Sequence, residues 1–213
     1  MLKLLKILSW PFLVFVLVAN AHTAYRALGW AVSHKSVYFP FVIGFFVYLI
    51  FAKLIVRKNI TFLQTFTHEL THALVGLLFF RKIHYFHARG SGTGEILHSG
   101  TSNVFIALAP YCFPIYTFGL LLFRLLISDS SLRAFDIVVG MSAAFHFIAI
   151  KNDIGTYQTD IQRNGVIYSY LFIWGFILFH ISLIVWSIPN NIEKAFYMWL
   201  HHLEEAYQWL AAI

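Results

Sequence analysis

Residues 68–72 read His-Glu-Leu-Thr-His. On a helix, positions four apart share a face, so two imidazoles at this spacing can meet one metal ion. Zinc lowers the pKa of its water to about 7, and a carboxylate next to the first histidine can take that water's proton. The setting makes the motif more pointed. Ile-Thr-Phe-Leu precedes it at 60–63, and Ala73 to Phe80 follow as an apolar run. A carboxylate inside a membrane helix costs on the order of 2.5–3.5 kcal/mol, so such residues mark sites. Glu69 is the one acidic residue well inside an apolar stretch. The competing reading is a pair of histidines hydrogen-bonded in a polar core.

A catalytic zinc needs a third protein ligand. The candidates are His84, His87, His98, His146, Asp153 and Asp160. The first three fall on a predicted hairpin and read as exposed or strand-face residues. His146 stands alone in an apolar segment, where a histidine usually serves the core. Asp153 and Asp160 follow that segment in a polar loop that can fold back, and a carboxylate completes the two-histidine pattern of zinc hydrolases. Residue types and spacing leave both aspartates open.

The elements that must hold these groups belong to a membrane protein. Of 213 residues, 60% are hydrophobic and 11% charged, less than half the charged share of soluble domains. A bilayer span needs about 20 apolar residues. Six segments approach this: Ile7–Trp30, Val37–Val56, Ile60–Phe80, Val104–Ile127, Asp136–Ile150 and Val166–Ile188. The fifth is short. Pro110 and Pro114 inside the fourth predict a kink or an opened backbone. Lys82–Ala88 and Glu95–Ser99 flank the turn-rich Gly90-Ser91-Gly92-Thr93-Gly94 and predict a β-hairpin. After Pro189, apolar residues at 192, 196, 199, 203, 206 and 210 form the stripe of an amphipathic interfacial helix capped by Asn190 or Asn191. The fold expected is therefore an all-α polytopic membrane protein of about six transmembrane helices, with a small hairpin insertion and an amphipathic C-terminal helix. It forms a single domain over 1–213: accessory helices at 1–59, a catalytic core at 60–165, and the last span and tail at 166–213.

Lys3, Lys6 and the apolar run to Ala19 have the parts of a signal peptide, but apolar character resumes at Ala27–Val32, which favours a retained first helix. The net charge of +6 is spread over short loops, including Lys53, Arg57 and Lys58, and suits anionic lipid headgroups rather than nucleic acid. Lysine and arginine are balanced between alternating loops, so the positive-inside rule leaves orientation open. The single cysteine, Cys112, excludes an intrachain disulfide.

The arrangement resembles the site-2 protease family of intramembrane zinc metalloproteases, most closely its compact bacterial branch. The likeness runs over residues 60–165. It rests on HELTH with Ala-Leu-Val-Gly after it, the glycine-rich hairpin, the Ala107–Pro110 stretch ALAP, and an aspartate beyond the next helix. The resemblance implies one zinc per chain, with His68 and His72 as ligands and Glu69 activating water. It implies Asp160 as third ligand, because Thr159-Asp160 matches the branch's hydroxyl-then-aspartate pattern; Asp153 is the alternative. The family's Asp-Gly run is absent. His146, Asn152, Gly92 and Gly94 are the candidates for substrate contact. The hairpin edge can pair with an unwound substrate strand. The resemblance further implies a membrane-protein or peptide substrate and a multi-pass location in a bacterial inner membrane. Two rival readings stand beside it. One is a membrane di-iron oxidase of the desaturase or hydroxylase type, with His68/His72, His84/His87 and His201/His202 as histidine boxes. The other is a non-catalytic membrane scaffold.

Overall fold

The computed structural model describes residues 2–54 and 57–212, with backbone alone for 2–8 and 57–59. The expected end of the second segment, Val56, and the side chains of Lys3, Lys6, Arg57 and Lys58 lie outside the described residues.

Helix α1 (Leu2–Ser33) is followed by α2 (Lys35–Leu54) and α3 (Arg57–Leu78), then by strands β1 (Ile83–Ala88) and β2 (Gly94–His98). Next come α4 (Val104–Leu108), α5 (Ile115–Phe123), α6 (Asp129–Asp153), α7 (Thr159–Asn164), α8 (Val166–Ser187) and α9 (Ile192–Ala211). Among the described residues, four helices are long and apolar enough to cross a bilayer: α1 from Ser9, α2, α6 and α8. A fifth span results if the bent pair Val104–Tyr111 and Ile115–Leu126 is counted as one. Helix α3 is not among them, because its threonines, Gln64 and the HELTH residues lower its hydropathy. Large apolar side chains such as Phe46, Ile50 and Leu54 stay exposed on α2, as a lipid-facing surface requires.

The fifth segment is longer than Asp136–Ile150 because Asp136 does not interrupt it. Arg124 donates to both Asp136 carboxylate oxygens, at 2.8 and 3.2 Å, and to the carbonyls of Ile188 and Asn190, at 2.7 and 2.8 Å. This buried guanidinium ties α6 to the chain just after α5 and to the α8–α9 turn. The helix therefore extends back to Asp129.

Helix α2 packs along α6, and α1 along α8 and α9. The first contact is backbone to backbone. A Cβ on Gly44 would overlap the Ile137 carbonyl, and one on Gly140 would overlap that of Phe41. Small residues permit such approach where lipid supplies no hydrophobic drive. Polar pairs join distant parts of the chain: Thr23 Oγ1 and Ser182 Oγ are 3.0 Å apart, and Trp199 Nε1 donates to Asn20 Oδ1 at 2.9 Å. Helix α9 is capped by Asn191, whose side chain accepts from the Lys194 amide. Its inward residues are Ala195, His202 and Ala206, whereas Phe196 of the predicted stripe is 44% exposed.

The fourth segment breaks where the prolines fall. Helix α4 passes through a 3₁₀ turn at Ala109–Tyr111, and α5 leaves at 81°. Strands β1 and β2 pair antiparallel, close to the expected hairpin. Helix α3 leads into them through Phe80, whose φ is 56°, with Arg81 N–H donating to Gly76 and Phe80 N–H to Leu77. This is the Schellman closure of a helix end.

Candidate metal centre

His68 and His72 lie one turn apart on α3 with ring centroids 4.9 Å apart. Among the described residues, ligand atoms of His68, His72 and Asp160 lie within 4.8 Å of one another. The surroundings fix how each ring is turned. His72 Nδ1 is 2.7 Å from the Ile106 carbonyl, which can only accept, so Nδ1 carries the proton and Nε2 keeps its lone pair. That Nε2 is 3.4 Å from Asp160 Oδ2. His68 Nδ1 is 3.4 Å from Asp153 Oδ2, which leaves its Nε2 free in the same way.

The Ile106 carbonyl is available for a reason written in the sequence. In a continuous helix it would accept from the amide of residue 110, and Pro110 has none. The ALAP stretch thus releases one carbonyl inside the core, and His72 takes it. Asn103 starts α4 by accepting from the Ile106 amide at 2.9 Å, which holds that carbonyl in place.

Asp160 is brought to α3 by the short helix α7. Ile161, next to it, is fully buried in a cluster with Leu108, Tyr111, Phe172 and Ile173. The Ser169 hydroxyl donates to the Ile161 carbonyl at 3.0 Å. Burial works to raise the Asp160 carboxyl. The hydrogen bond with His72, the charges of His72 and His68, and the Tyr111 hydroxyl outweigh it and hold Asp160 below its ordinary range. An acid kept ionised beside two imidazoles suits a cation.

Glu69 is 8% exposed and lies under the hairpin. A Cβ on Gly94 would come within 2.6 Å of Glu69 Cγ and would overlap the carboxylate. Gly92, with φ of 85°, sits against Thr61 of the same helix. The hairpin therefore runs along the motif face of α3, and Phe66 meets Phe86 edge-to-face at 5.5 Å. Asn152 donates to Gln64 Oε1 at 3.2 Å, one turn before His68.

The other candidates lie elsewhere. His146 borders an apolar cavity of about 300 Å³ with Cys112, Pro114 and His180. His87 accepts from Arg89, and His98 is near the Ser99 carbonyl. His201 and His202 gather around Glu205 on α9, with Arg26 Nε 3.4 Å from the same carboxylate. The His202 hydrogen bond is the main cause holding Glu205 below the usual carboxylate range. The three histidine pairs of the oxidase reading do not converge among the described residues.

Sequence reasoning missed two residues here. Tyr111 is fully buried, its ring edge-on to His68 at 5.1 Å. Gln64 is buried on the motif face. For Gln64 the signal was present, since it lies four residues before His68. For Tyr111 it was only adjacency to Pro110.

The donor set fits a zinc ion. Tetrahedral ligands at about 2.0–2.1 Å from the metal lie about 3.3–3.4 Å apart, which matches the His72–Asp160 separation. Comparison with curated proteins and with solved structures found no match. A family model does match, over residues 38–200, and reaches beyond residues 60–165 on both sides. With that match, the chain belongs to the Peptidase M50B-like family of membrane metallopeptidases.

Proposed function

We propose that the protein hydrolyses peptide bonds of membrane-protein substrates, using one zinc held by His68, His72 and Asp160. The observation that carries this reading is the convergence of these three side chains with the Nδ1 of each imidazole already engaged. When bound, zinc acidifies water and polarises a carbonyl. The chain's own residues do the rest. Asp153 and the Ile106 carbonyl hold the two rings, and such partners sharpen metal affinity. Glu69, free of the ligand set, accepts the proton of the attacking water and returns it to the leaving amine. Burial beneath the hairpin keeps Glu69 from bulk solvent.

Helix α3 joins the four or five apolar helices as a further span, sheltered by its neighbours. Helix α9 serves as the amphipathic tail, with Tyr197, Tyr207 and Trp209 exposed at the interface.

Protein purified in detergent is expected to cleave an unfolded polypeptide such as casein. Chelation should abolish cleavage, and one equivalent of zinc per chain should restore it. Cleavage that survives removal of all metal would overturn the proposal. Gly94→Ala is expected to lower kcat roughly 10²-fold, the cost of displacing a catalytic group by about an ångström, with zinc content unchanged.

A further inference from the structure

His201 and His202 take no part in the metal centre on α3, yet with Glu205 they form another cluster of metal-ligating side chains. Ligand atoms of these three residues lie within 4.8 Å of one another. Helical spacing brings them together, since residues three and four apart share a face. His201 Nε2 is 3.5 Å from Glu205 Oε1, and His202 Nδ1 is 2.8 Å from Oε2. A fourth donor comes from α1. His22 Nε2 is 3.8 Å from the same Oε2, too far for a hydrogen bond. It is a buried nitrogen with no hydrogen-bond partner among the described residues, and such an orphan calls for a reason.

The two helices are fixed against each other around this cluster. On α1, Asn20 accepts from Trp199 Nε1 at 2.9 Å on one side of His22. On the other side, Ala27 packs with Ala195 and Trp186 in a buried group. The Trp186 ring also stacks on His202, with centroids 5.5 Å apart. Donors placed in advance cost little to gather around a ligand.

The spacing suits an ion. Ligands around a tetrahedral zinc lie about 3.3–3.4 Å apart. The three contacts to Glu205, at 3.5, 2.8 and 3.8 Å, are within about 0.6 Å of that value. Three imidazoles and one carboxylate are donors that zinc accepts. Zinc takes the Nδ1 lone pair of His202, whose proton moves to Nε2 by exchange with water. Arg26 is the competitor, with Nε 3.4 Å from Glu205 Oε2. Its side chain is half-exposed and can turn into solvent.

We propose that His22, His201, His202 and Glu205 form a second zinc site, which fastens α9 to α1 and displaces Arg26 from the carboxylate. It is separate from the hydrolytic centre and does not depend on it. His201 is 63% exposed and a guanidinium stands at the edge, so this ion is held loosely. It is lost on desalting, which leaves the single zinc of the motif in place. Zinc supply around the protein then sets how firmly the C-terminal helix is held.

The test titrates zinc, against a competing fluorescent indicator, into the full-length desalted protein in detergent. One further zinc per chain is expected, with micromolar affinity. His22→Ala, His201→Ala and Glu205→Gln should each remove this binding and leave the retained zinc unchanged. His201 is exposed, so its replacement leaves the fold intact. Arg26→Gln should tighten the site roughly tenfold, the factor for removing one like charge about 5 Å away in water. Amide exchange of α9 should slow when zinc is added to the parent, and not when it is added to His22→Ala.

No further zinc on the parent, further zinc that the three variants keep, or α9 exchange indifferent to zinc would overturn the proposal. So would a second zinc lost in the α9 variants and kept by His22→Ala, because the bridge to α1 would be gone. Cleavage is not measured, so failure of the hydrolase reading leaves these outcomes untouched.

Discussion

Glu69→Gln is expected to reduce peptide cleavage by roughly 10³-fold, within the range attributed to a positioned acid–base group, while zinc content stays at one per chain. The two halves of this outcome come from separate features. Glutamine keeps the shape beneath Gly94, where there is no room for another atom, so the hairpin has no cause to move. It cannot accept a proton, so the water is left unactivated. His68, His72 and Asp160 are untouched, and the ion should remain. Single-turnover assays with metal analysis on the same sample check both. A variant that cleaves at the parental rate would remove Glu69 from the mechanism.

The second large effect separates the two aspartates. Asp160→Ala should empty the site, because Asp160 Oδ2 stands at ligand spacing from His72 Nε2. Asp153→Ala should retain zinc with an affinity lowered 10–100-fold, the usual cost of losing a carboxylate behind a ligating imidazole. The reason is geometric: Asp153 faces Nδ1 of His68, not the nitrogen left for the ion. Zinc titration against a competing chelator distinguishes the two. The reverse order, with Asp153→Ala empty and Asp160→Ala loaded, would exchange their roles.

The motif helix was legible because HELTH carries its own geometry. The broken span was legible because two prolines in an apolar run cannot be a straight helix, and the hairpin because of its clustered glycines. Asp153 and Asp160 were a different matter. Both are acids in one polar stretch of sequence, and the burial of Ile161 is what brings Asp160 to His72. Nothing local announces that a neighbour will be the anchor. The length of α6 was misjudged for a similar cause. Asp136 reads as a polar end, but Arg124 neutralises it from another element. Membrane chains also weaken the inside-outside code. Phe196 faces outward and His202 inward, so apolarity alone does not tell which side of α9 meets α1 and α8.

The pairing of α1 with α8 and α9 has a consequence for biogenesis. Thr23 meets Ser182, and Asn20 meets Trp199, across 159 and 179 residues of chain. During synthesis α1 must wait, without its mates, until α8 and α9 have emerged from the ribosome. Contacts so far apart in the chain form last and slowly. Helices α2 to α7 emerge before that closure, so the docking of α1 onto α8 and α9 is a late step in maturation.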